Sequence, residues 1–72
     1  MNQIRPDYYS PESPLEPVKV IRAWGLGFCL GNVLKYIARA GAKPGVDAIQ
    51  DLEKAATYLA LEIEALKKEA KP

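Results

Sequence analysis

The chain contains no histidine and a single cysteine, Cys29, in 72 residues. A Ser-His-Asp triad is therefore absent, a Cys/His zinc site has no ligand set, and no disulfide can form within the chain. Long apolar runs are missing as well. No stretch reaches the roughly 20 residues that a membrane-spanning helix needs, and the amino-terminal MNQIRPDYYS lacks the basic and apolar regions of a signal peptide. A GxxxxGK[ST] loop is absent, which leaves a Walker-type kinase without support, and no spacing of the acids marks a metal pair. These absences predict a cytoplasmic protein with no membrane partner, no resident cofactor and no metal.

What remains is ordinary for a globular domain: 49% hydrophobic and 26% charged residues, too apolar for disorder. At 7.9 kDa the chain is one domain, residues 1–72. A chain this short buries only about 60% of its unfolded surface. With neither disulfide nor metal to brace it, stability is expected from helix packing and from self-association as a homo-oligomer.

Proline and glycine divide the chain. Pro6, Pro11, Pro14 and Pro17 predict an extended arm over residues 1–16, and the spacing of the last three also reads as a polyproline ligand. Pro17 suits the first position of a short helix to about Trp24, with Val18, Ile21 and Trp24 on one face. Gly25 and Gly27 mark a turn, and a second helix runs from Phe28 to about Ala40, stopped by Gly41. The AKPG turn at 42–45 leads to a third helix from Val46 to about Lys68, with residues 69–72 a frayed tail. The expected fold is all-α: an arm, a short helix and a helical hairpin.

In the third helix Ile49, Leu52, Ala56, Leu59, Ile63 and Leu66 alternate in steps of three and four, and this seam is expected to face the core. Asp51, Lys54, Tyr58, Leu61 and Ala65 then fall on the far side, where Tyr58 and Leu61 would be exposed in a lone protomer.

The net charge of +1 hides an asymmetry. Residues 21–45 carry Arg22, Lys35, Arg39 and Lys43 and no acid, whereas the flanking segments are net negative. This is where an anionic partner is expected. About four charges predict weak binding to duplex nucleic acid, so a small phosphorylated ligand fits better.

Asn32, Lys35 and Arg39 form one polar stripe on the second helix, with Gly31 beside it to allow close approach. Arg offers a planar fork to phosphate, Lys a point charge, and Asn an amide for ribose or base. The competing reading is a solvated face, or ion pairs with Asp51. Asp51, Lys54 and Tyr58 form a second polar line that an antiparallel hairpin brings alongside: Asp51 orients Lys35 or Arg39, Lys54 adds charge, and Tyr58 stacks or hydrogen-bonds. Alternatively they form an ordinary exposed pair. Tyr8 and Tyr9 supply stacking surface for a base, whereas Trp24 and Phe28 read more readily as core.

The order LEPVKVIRAWGL, LGNVLKYIARAG and DLEKAATYL resembles a small domain of unknown function found in many bacteriophage and prophage proteins. That domain is often labelled nucleotide kinase-like, because it occurs in a coliphage nucleotide kinase without a Walker loop. The resemblance covers about residues 8–62, and GNxxKYxxRxGxK followed by DLxKAxxYL is its core. It places Gly31, Asn32, Lys35, Tyr36, Arg39, Lys43, Asp51, Lys54 and Tyr58 on the motif positions. The family usually shows His-Tyr where this chain has Tyr8-Tyr9, which weighs against phosphoryl transfer.

The resemblance implies a phage-type nucleotide-binding protein in the host cytoplasm. Its expected role is non-catalytic capture of a nucleotide or cyclic nucleotide signal used in anti-phage defence. A nucleoside monophosphate kinase, which would need magnesium, is the alternative, and a helical protein-interaction module is the third.

Overall fold

A computed structural model describes residues 15–42, 45 and 47–70. The described residues form three helices and no strand: α1 (Pro17–Ala23), α2 (Phe28–Arg39) and α3 (Ala48–Ala70). α2 packs along α3 as a hairpin, and α1 rests against α2. Residues 1–14 of the arm, with Tyr8, Tyr9 and the first two prolines of the polyproline spacing, lie outside the described residues, as do Lys43, Pro44, Val46 and the last two residues.

Each helix starts and stops where local chemistry requires. Glu16 caps α1, its side chain accepting from the Lys19 amide at 3.4 Å, and Pro17 fills the first turn, where no amide donor is needed. Gly25 and Gly41, at φ +67° and +69°, take the left-handed conformation that ends α1 and α2. α3 begins at Ala48, two residues later than expected, because Asp47 caps it: its Oδ1 accepts from the Gln50 amide at 3.0 Å. Lys67 and Lys68 lie within the last turn, which extends to Ala70, where cations suit the helix dipole.

Close approach of α1 to α2 depends on Gly31. A Cβ at this position would stand 3.3 Å from Ile21 Cγ2, so the close approach expected beside Gly31 is made by α1. Beside this contact an apolar recess of about 390 Å³ is lined by Leu15, Pro17, Val20, Trp24, Leu34 and Ile37.

The core departs from the sequence expectation. α3 turns Asp51, Ala55, Tyr58 and Glu62 toward α2, with Asp51 and Ala55 buried and Tyr58 and Glu62 half-buried. The apolar seam lies roughly 100° around the helix from that face and is exposed, Ile49 by 72%. The small Ala55 lets the two backbones close, and among the described residues no third element packs on the seam. Trp24 and Phe28, read as core, are 68% and 75% exposed, and Val18 is exposed as well. With extents of 46 × 26 × 13 Å the described chain is a slab one helix thick, and no large side chain among the described residues is fully buried.

Candidate functional site

The hairpin brings the two polar lines together. Arg39 stands in the last turn of α2 and Asp51 in the first turn of α3, each at the helix end whose dipole favours its charge. They meet across the hairpin, Arg39 Nη2 lying 3.8 Å from Asp51 Oδ1. The second carboxylate oxygen, Oδ2, is buried with no hydrogen-bond partner among the described residues. Asp51 is thus an internal negative charge whose compensation comes through Arg39. The Arg39 side chain remains 45% exposed, and its guanidinium offers five donors in all.

The centre of the cluster is Tyr36. Its ring stacks on Tyr58 at 6.0 Å between centroids and 15° between planes, and Phe28 meets Tyr58 edge-on at 5.7 Å and 72°. Three cations gather around the same ring: Lys35 Nζ at 4.6 Å from its centroid, Arg39 Cζ at 5.4 Å and Lys54 Nζ at 5.4 Å. The negative π face attracts each of them, an interaction worth about 0.5–1 kcal/mol at an exposed site. The ring does not neutralise their charge, however. Against the one carboxylate of Asp51, the cluster carries a net charge of +2, held by elements of two helices.

Of the residues singled out from sequence, Lys35, Arg39, Asp51, Lys54 and Tyr58 converge here. Asn32 takes a different part: its Nδ2 donates to the Phe28 carbonyl at 2.9 Å, one turn back in its own helix. It also lines, with Lys35, Gly31 and Phe28, a shallow depression of about 370 Å³ beside the cluster. Tyr58 stacks within the protein, and so is half-buried rather than exposed. Tyr36 was missed as the hub because it lies on the apolar arc of α2. The available signal was its place between Lys35 and Arg39 in the motif.

The sequence pattern of DUF3310, described as a protein of unknown function, matches residues 4–60. The chain belongs to the DUF3310 family. Its match takes in α1, α2, the turn and the first half of α3, so every member of the Tyr36 cluster lies within the DUF3310 region. No curated protein matches the chain, and no solved structure does.

Proposed function

We propose that this chain binds a phosphorylated nucleotide, linear or cyclic, at the cation cluster around Tyr36, and holds it without transforming it. The observation that carries this reading is the convergence of Lys35, Arg39 and Lys54 on one aromatic ring, within 5.4 Å of its centroid. Like charges gathered around one point repel, and an anion seated among them relieves the repulsion. Arg39, steadied by the buried Asp51, presents its fork to phosphate oxygens, while the two lysines supply mobile point charges. The depression lined by Phe28, Asn32 and Lys35 gives a base or sugar a surface beside the phosphate site.

The motif resemblance supports the class of ligand and the setting. A phage-type, nucleotide kinase-like domain reduced to one anion cluster suits capture of a nucleotide signal in host anti-phage defence, acting in the host cytoplasm.

A thermal-shift panel of mono-, di- and triphosphates and cyclic di- and trinucleotides, with and without magnesium, tests this. A ligand at a hundred times its dissociation constant stabilises the fold by about 2.7 kcal/mol. Capture requires a magnesium-independent shift with a nucleotide that is recovered intact. Conversion of a monophosphate in the presence of ATP and magnesium would replace capture by kinase activity, and no shift with any nucleotide would remove the reading altogether.

A further inference from the structure

We propose that α3 pairs with α3 of a second copy of this chain, parallel and in register, through the seam Ile49, Leu52, Ala56, Leu59, Ile63 and Leu66. The pairing is independent of what the Tyr36 cluster binds. The seam repeats every 3.5 residues over almost the whole of a 23-residue helix, and its five large side chains are 44–72% exposed. α2 covers a different face of α3, so nothing within the described chain occupies the seam.

Residue choice selects the occupant and its direction. In heptad terms Ile49, Ala56 and Ile63 take the a positions and Leu52, Leu59 and Leu66 the d positions, and β-branched Ile at two of the three a positions with Leu at every d favours two strands in a parallel coil. Parallel pairing sets Glu62, at g, against Lys67 of the partner subunit, at e, and the symmetry makes this ion pair twice. Antiparallel pairing with the seam fully overlapped would instead set Glu62 and Glu69 beside alanines at 55 and 48, and Glu53 beside Ala60, gaining no ion pair, and a shift of one heptad that brings Glu53 to Lys67 takes Ile49 and Leu52 off the partner's seam. A self-complementary stripe with Glu and Lys at its flanks therefore fits a second copy running in the same direction.

Sedimentation equilibrium of the full chain, together with cysteine cross-linking in a Cys29→Ser background, tests this. A dimer is expected, dissociated by Leu59→Asp with Ile63→Asp while helical circular dichroism persists. Because that double variant risks unfolding, cross-linking gives a second measure. Leu59→Cys should oxidise to a covalent dimer, and Leu61→Cys, off the seam, should not. A monomer at every concentration, or equal cross-linking at 59 and 61, overturns the pairing. Cross-linking of a Leu52→Cys chain to an Ile63→Cys chain, with none between two Leu59→Cys chains, overturns the parallel direction.

Discussion

Arg39 and Asp51 face each other across the α2–α3 hairpin at 3.8 Å, one at the surface and the other with its side chain 3% exposed. The two ends of the pair therefore differ in consequence. Arg39→Ala leaves a buried carboxylate without compensation and should lower stability by about 1–3 kcal/mol. Asp51→Asn removes the buried charge and should cost less. Chemical denaturation of the two single variants and the double variant gives the coupling, expected to be non-zero because the residues touch.

The cap of α3 gives a simpler expectation. Asp47→Ala removes the acceptor of the Gln50 amide and should destabilise by about 1 kcal/mol. In a domain of this size that lowers Tm by roughly 4–8 °C, a change that differential scanning calorimetry resolves. Asp47→Ser should recover most of it.

Gly31 separates two effects. Alanine there gains up to about 1 kcal/mol of helix propensity. Its Cβ, however, would sit 3.3 Å from Ile21 Cγ2. These nearly cancel, so Gly31→Ala should stay within about 1 kcal/mol of the parent. Gly31→Leu should push α1 away from α2, seen as increased amide exchange across α1, and Ile21→Ala should partly restore packing in that variant.

Tyr36 carries the aromatic centre. Tyr36→Phe keeps the stack on Tyr58 and should leave Tm nearly unchanged. Tyr36→Ala removes a half-buried ring and the face shared by three cations, with an expected loss of about 1–2 kcal/mol. Thermal unfolding of both variants measures the difference.

The helices were legible in the sequence because their ends are written in strong local chemistry: Pro17, Gly25, Gly41 and the AKPG turn. The partners in the cluster were legible through the spacing of Lys35 with Arg39 and of Asp51, Lys54 and Tyr58, which places each set on one helix face. The role of Tyr36 was not, since a tyrosine on an apolar arc reads as packing until the neighbouring helix is in place. Nor was the direction of α3. Its two stripes lie roughly 100° apart, and apolarity alone favours burying the leucine seam. Within a slab one helix thick, small Ala55 and the Arg39–Asp51 pair determine which face α2 covers, and the seam is left outside. Asn32 shows a further limit, because the same amide can serve a ligand or its own helix, and here its Nδ2 bonds to the Phe28 carbonyl.

Anion binding at Tyr36 is tested most directly by following the ring protons of Tyr36 and the Nε signal of Arg39 by NMR while inorganic pyrophosphate is added. Binding at the cluster predicts saturable shifts in both signals, weakened at least tenfold by Lys35→Ala with Lys54→Ala in a protein that stays folded. Unmoved signals, or shifts that persist in that double variant, would contradict it.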